Sequence, residues 1–137
     1  MIIFYQQTIT KLLLVLKKYS LIISIVYSLL LAALSLLKIN AATAELPTNS
    51  DKIFHTIAYF IFTVLWYFAL RTHGILKAKS IIFAFLSSAL FGILIEILQG
   101  TLTENRQSDV NDIIANIIGT LIAVILIMSK KSKIKKQ

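Results

Sequence analysis

The sequence predicts an all-α membrane protein: four transmembrane helices in an antiparallel bundle, with both termini cytoplasmic. Three observations predict it. Hydrophobic residues make up 58% of the 137 residues and the mean hydropathy is +0.85, outside the usual composition of a water-soluble domain. Four apolar segments, Tyr19–Leu37, Ile53–Leu70, Ile81–Leu98 and Ile113–Met128, each come close to the ~17–25 residues that cross a bilayer as a helix. Between the lysine-rich ends, nearly every charged residue falls at one end of a segment.

The elements follow in order. Residues 1–18 read as a cytoplasmic, interfacial N-terminal segment, in which apolar residues mix with Gln6, Gln7, Thr8, Thr10 and Lys11 and helical periodicity is weak. Lys17 and Lys18 precede the first apolar run. That run, with Ala42-Thr43-Ala44 ahead of Glu45, also resembles a secretory signal with its cleavage site. Its length of about 19 residues exceeds the ~7–15 of a signal core, so it is expected to remain as a span. Residues 38–50 (KINAATAELPTNS) form the longest loop and hold the only proline, Pro47. Thr48, Asn49, Ser50 or Asp51 stands where a cap for the second helix belongs. The 71–80 loop is short and basic, with Gly74 as its turn. The 100–111 loop (GTLTENRQSDVN) is polar, and Asp109 or Asn111 is placed to cap the fourth helix. Residues 19–128 thus form one four-helix domain, followed by a basic cytoplasmic tail at 129–137.

Each helix carries a small or polar stripe at helical spacing: Ser20, Ser24, Ser28, Ala32 and Ser35; His55, Tyr59 and Thr63; Ser88, Gly92, Glu96 and Gln99; Asp112, Asn116, Gly119 and Ala123. Small residues let backbones approach, and polar groups buried there find partners across the contact. Trp66, Tyr67 and Phe68 read as an aromatic belt near the cytoplasmic face, and His73 as an exposed loop residue.

Net charge is +8, and its distribution sets the orientation. Eleven cations lie on one side: Lys11, Lys17, Lys18, Arg71, Lys77, Lys79 and the five lysines at 130, 131, 133, 135 and 136. Three, Lys38, Lys52 and Arg106, lie on the other. Both termini are therefore expected in the cytoplasm, and the polar cluster faces outward. The apolar bulk argues against nucleic-acid binding for the lysine tail, which suits anionic lipid headgroups instead. The absence of cysteine excludes disulfides, thiolate catalysis and cysteine metal sites.

Glu96 is the sharpest residue. It stands about one turn inside the third segment, where an acid costs ~1–3 kcal/mol to insert and normally faces the interior with a partner. Lys52, His55 and Arg106 are the candidates. The structural alternative is an inter-helix salt bridge. His55 follows Asp51 by one turn, an arrangement in which a carboxylate orients an imidazole for general-base work or metal binding. Asp109, Asp112 and Asn116 share one side of a helix. Asp109 reads chiefly as a cap, while Asp112 is the better pocket residue. Arg106 has the fork to clamp a phosphate or carboxylate, or to pair with Glu104 or Asp109. Tyr59 and Gln99 are weaker candidates. A hard divalent cation suits Asp51, Glu96, Asp109 and Asp112 with His55, but no ligand motif such as H-E-x-x-H is present, so no metal is assigned. Nucleotide and hydrolase fingerprints are absent as well, and no cofactor is specified.

DKIFHTIAYF at 51–60, EILQ at 96–99 and RQSDVNDIIANIIG at 106–119 resemble, in that order, the motifs of the VanZ-like family of small bacterial membrane proteins. The resemblance extends over roughly residues 50–123. It implies a multi-helix membrane protein, and the family's namesake is linked to low-level resistance to the glycopeptide teicoplanin. The motif residues it marks are Asp51, Lys52, His55, Tyr59, Glu96, Gln99, Arg106, Asp112, Asn116 and Gly119. Asn105 stands where a glycine often precedes the arginine, and Ala123 where a later glycine is usual.

The function expected from this clustering and the resemblance together is binding or modification of an anionic cell-envelope molecule, lipid-linked or a cell-wall precursor, and the resemblance implies a contribution to teicoplanin resistance in a bacterial cytoplasmic membrane. Glu96, His55 and Asp112 would be catalytic. Asp51, Lys52, Tyr59, Gln99, Arg106 and Asn116 would bind the ligand. The alternatives are a proton- or cation-coupled transporter, dimeric at this size, and a non-catalytic membrane scaffold.

Overall fold

The computed structural model describes residues 2–36, 50–102 and 109–130 of the chain. These form four helices: α1 (Ile2–Leu36), α2 (Ser50–Thr72), α3 (Lys77–Leu102) and α4 (Val110–Ser129). All four are long and apolar enough to cross a membrane. Pro47, the Ala42–Ala44 cleavage signature, Arg106 and the tail lysines from 131 onward lie outside the described residues.

The first helix differs from expectation in one respect. It runs without a break from Ile2 to Leu36, so the interfacial segment and the first span are one helix. Hydropathy falls towards the N-terminus, but Gln, Lys and Leu are good helix formers and nothing in the segment breaks the backbone ladder. The apolar stems of Lys17 and Lys18 can also lie along the helix while their charges reach the interface.

The other boundaries have local causes. Gly74, with φ at +82°, ends α2 in the left-handed conformation that only glycine adopts without cost. The Ile75 amide donates to the Leu70 carbonyl and the Gly74 amide to that of Arg71, both at 3.2 Å, which is the double closure of a Schellman motif. Asp109 caps α4: its backbone is extended and its carboxylate accepts from the Asn111 amide at 2.8 Å.

Packing is inverted relative to a soluble protein. Large apolar side chains such as Leu29, Phe54, Leu90 and Ile125 point outward, whereas Ala69, Ala84, Ala123, Ser24, Ser80, Ser88, Thr63 and Thr120 are buried. Lipid tails are as apolar as leucine, so contact between helices is driven by close backbone approach and interhelical hydrogen bonds. The inner hydroxyls mostly donate to the carbonyl four residues back, as in Ser24 to Ser20, Thr63 to Tyr59 and Thr120 to Asn116. Ser88 and Thr120 also join α3 to α4 through a 2.7 Å hydroxyl pair.

The second helix is the hub and touches the other three. Where it meets α4, Gly119 lies directly against the Thr56 carbonyl, and any β-carbon there would overlap that oxygen. α1 is fastened to α2 by the Tyr27 hydroxyl donating to Ala58 (2.9 Å), the Trp66 indole donating to Ser28 (3.1 Å) and the Ser20–Thr72 hydroxyl pair (2.7 Å). Trp66 therefore serves helix packing, while Tyr67 and Phe68 meet edge to face next to it.

Candidate functional site

The beginnings of α2 and α4 and the later turns of α3 meet at one end of the molecule. Each element arrives for a reason already given: the Asp109 cap sets the start of α4, and the Gly119–Thr56 contact sets the offset between α2 and α4. That offset brings Lys52 and His55 level with Asp109, Asp112 and Asn116.

Lys52 spans two carboxylates, with its Nζ 3.5 Å from Asp109 Oδ2 and 3.6 Å from Asp112 Oδ1. The His55 imidazole is fixed by α4, its Nδ1 lying 2.9 Å from Asn116 Oδ1. With Nδ1–H donating to that oxygen, Nε2 faces Asp112 Oδ2 at 3.7 Å and Asp51 Oδ1 at 3.8 Å. The expected Asp51–His55 neighbourhood exists, but the hydrogen bond that orients the ring comes from Asn116. Asp51 is more than half exposed at the helix start, whereas Asn116 is buried and directly opposite.

Glu96 is 1% exposed. Its Oε1 accepts the backbone N–H of Asp109 at 3.1 Å, so α3 holds the cap of α4 in place. Among the described residues it forms no ion pair, which removes Lys52 and His55 as salt-bridge partners. Among the described residues its buried Oε2 has no hydrogen-bond partner, and the same holds for the Tyr59 hydroxyl and for Asp112 Oδ1, which faces the Lys52 ammonium. Tyr59 is buried in an aromatic cluster, 6.0 Å from Phe62 and 6.4 Å from Phe91, centroid to centroid. Gly92 makes room for it: a β-carbon there would press on the Tyr59 ring and on Asn116 at 3.0–3.1 Å. Gln99 Nε2 donates to the Ser35 carbonyl at 2.8 Å, which ties α3 to the end of α1.

The residues expected from sequence thus divide. Asp51, Lys52, His55, Asp112 and Asn116 form one contact network, while Glu96 joins it through the Asp109 amide. Tyr59 lies beside Asn116 across Gly92, and Gln99 faces α1. Asp109 has a larger part than a cap alone, since it also takes Lys52 and donates to Glu96. Thr56 was not singled out from sequence; its hydroxyl reaches the Ala115 carbonyl of α4 at 3.3 Å and the Lys52 carbonyl at 2.9 Å. Its position one residue after His55 is the only signal the sequence carries for it.

Asp51, His55 and Asp112 are also the described residues able to hold a metal ion, their ligand atoms all lying within 4.8 Å of one another. Beside this network an apolar groove of about 350 Å³ runs between α2 and α4, walled by Ile53, Ile57, Ile114 and Ile118, with Lys52 and Asn111 on its polar side.

Asp109 is the titrating group at the edge of the site. The Asn111 amide, and after it the Lys52 ammonium, hold its carboxyl below the usual carboxylate range. A carboxyl lowered by folding stabilises the native state above its unfolded value of about 3.9, and that contribution is lost as pH falls through the lower folded value. In detergent, the melting temperature of the wild type is expected to fall below pH ~4 more steeply than that of Asp109→Ala. Parallel acid slopes for the two proteins would contradict this assignment.

A family model described as VanZ/LLP1 matches residues 2–131, nearly the whole chain. No curated protein and no solved structure matches it.

Proposed function

This chain belongs to the VanZ/LLP1 family, and from that premise we propose that it is a multi-pass membrane protein that binds or modifies an anionic cell-envelope molecule. The observation that carries the reading is the apolar groove between α2 and α4 that leads to Lys52 at the edge of a buried polar network. A lipid-linked molecule suits both parts. Its chain lies in the groove, open to the bilayer, and its anionic head meets Lys52 at headgroup depth. The Lys/Arg distribution supports an orientation with this end of the helices outside the cytoplasm. Lipid-linked or cell-wall precursors are the molecules met there.

In a reaction on such a molecule, Glu96 or His55 acts as the acid/base. Glu96 Oε2 and the Tyr59 hydroxyl are buried polar atoms without a hydrogen-bond partner among the described residues, which is costly unless a ligand completes them. His55, with Nδ1 engaged by Asn116, presents Nε2 as the proton acceptor. Lys52 and Arg106 hold the anion, and Asp112, Asn116 and Asp51 position the groups around it. A contribution to teicoplanin resistance belongs to the same proposal.

The test is binding of a labelled undecaprenyl-phosphate-linked precursor to protein in nanodiscs. Lys52→Gln is expected to weaken it by about tenfold or more, the worth of a charge-assisted hydrogen bond. In a sensitive Gram-positive host, wild type is expected to raise teicoplanin tolerance, and Glu96→Gln at equal membrane abundance is not. Equal binding by wild type and Lys52→Gln would refute the groove assignment.

One observation favours a proton- or cation-coupled carrier instead: buried hydroxyls continue inward from Asn116 through Thr120 and Ser88. Each already donates or accepts within the helices, and among the described residues no charged group follows them. Uptake by proteoliposomes that vanishes in Glu96→Gln would promote this second reading.

A further inference from the structure

The opposite end of the helices holds a second cleft, and it differs in kind from the first. It lies between α2 and α4, encloses about 480 Å³, and is walled by Phe60, Val64, Ala123 and Ile127. Arg71, Lys77 and Lys130 line its mouth, with Tyr67 and Ser129 beside them. From Phe60 to Arg71 the wall runs eleven residues along α2, about 16 Å at 1.5 Å per residue.

We infer that this cleft binds an anionic glycerophospholipid, its phosphate held by Arg71, Lys77 and Lys130 and one acyl chain lying along the Phe60–Val64 wall. Three observations support the occupant. First, charge: the four acids among the described residues, Asp51, Glu96, Asp109 and Asp112, all stand at the other end of their helices or in the cap of α4. Among the described residues no carboxylate offsets the three cations here, and none of them forms an ion pair. Second, two of the three cations are held in place by backbone carbonyls at this end of the helices. The Lys77 ammonium donates to the Lys130 carbonyl at 2.9 Å, and Arg71 Nη1 donates to the Ile75 carbonyl at 2.6 Å. Each bond fixes a cation that lines the cleft while leaving further N–H donors for an anion. Third, shape: the walls beneath the cations are apolar and aromatic and belong to membrane-spanning segments, so a free phosphate would leave them unused, whereas an acyl chain covers them. Basic pockets between spanning helices recognise lipid headgroups through this combination.

The site is independent of the acidic network and of the function proposed for it. In the orientation given by the Lys/Arg distribution it opens to the inner leaflet. The tail beyond Lys130 adds lysines of its own, and a test has to separate their general attraction from the cleft.

The experiment is native mass spectrometry of full-length protein released from nanodiscs of equal phosphatidylcholine and phosphatidylglycerol, with thermal unfolding measured in each pure lipid. Wild type is expected to retain phosphatidylglycerol over phosphatidylcholine and to melt higher in it. The double variant Arg71→Gln, Lys77→Gln should lose about thirtyfold of that preference, since each cation near a headgroup gives roughly a fivefold bias. Replacing the four lysines at 131, 133, 135 and 136 with glutamine should leave most of the preference intact. Equal retention of the two lipids by wild type would overturn the proposal, and this arm needs no variant to fold. So would a preference lost with the tail lysines and kept in the double variant. Glycerol 3-phosphate, which lacks the chains, should not compete at millimolar concentration; competition would make this a soluble-phosphate site.

Discussion

Gly119→Ala is expected to be the most disruptive single methyl in the protein. A β-carbon at this position overlaps the Thr56 carbonyl oxygen and crowds the neighbouring backbone up to Phe60 N. These are backbone atoms of α2, so no side chain can rotate away and the helices must separate. Overpacking of a well-packed contact costs about 1–3 kcal/mol where side chains can move, and a backbone clash belongs at or above the top of that range. Because α2 also carries α1 and α3, the loss should appear as a collapsed detergent-stable fraction on fluorescence-detected size exclusion. Gly92→Ala provides the contrast. There the new methyl meets the Tyr59 ring edge and the Asn116 side chain, which can give by a few tenths of an ångström. Stability should fall by about 1 kcal/mol, but Asn116 orients His55, so ligand binding should suffer more than the fold. Wild-type stability in Gly119→Ala would show that α2 and α4 do not meet at this point.

The second large effect concerns Glu96. Glu96→Gln keeps an oxygen that accepts the Asp109 N–H but removes the exchangeable proton and the charge. If Glu96 is the acid/base of the proposed reaction, turnover should fall by roughly 10²–10⁴-fold, with abundance and melting temperature close to wild type. Glu96→Leu removes the acceptor as well. The Asp109 amide then loses its partner at the cap of α4, and stability should drop by about 1–3 kcal/mol in addition. Measuring both variants separates the two roles. A Gln variant as damaged in stability as the Leu variant would make Glu96 a structural carboxylate, and the scaffold reading would then replace the catalytic one.

Much of the architecture was legible because its causes are local. The cost of placing a segment in lipid is summed over that segment's own residues, so four spans could be read from hydropathy alone. The inward stripes were legible for a related reason. Residues three and four apart share a helix face, and only small or polar residues are worth burying when the surroundings are apolar. Ser24, Thr63, Ser88, Glu96, Gln99, Asp112, Asn116, Gly119 and Ala123 all lie on the buried side. The Asp109 cap and the Gly74 turn belong to the same class, since each depends on a single residue's conformational preference.

The partnerships within the site were not legible. Sequence spacing paired His55 with Asp51 because both stand on one helix, yet Asn116 holds the ring from across the α2–α4 contact. It also offered Lys52 and His55 as cations for Glu96, whose donor among the described residues is a backbone amide. Such choices depend on the rotation and axial offset of one helix against another, and a few ångströms in either replaces one partner with the next. That offset is set where two backbones touch, at Gly119 and Thr56, a contact between residues 63 positions apart. What the sequence determined by itself was therefore the set of helices and the face each turns inward, because these follow from residues that are neighbours along the chain. Which polar atoms meet was decided by tertiary structure alone, because hydrogen bonds act over about 3 Å and only packing places separate helices to that tolerance.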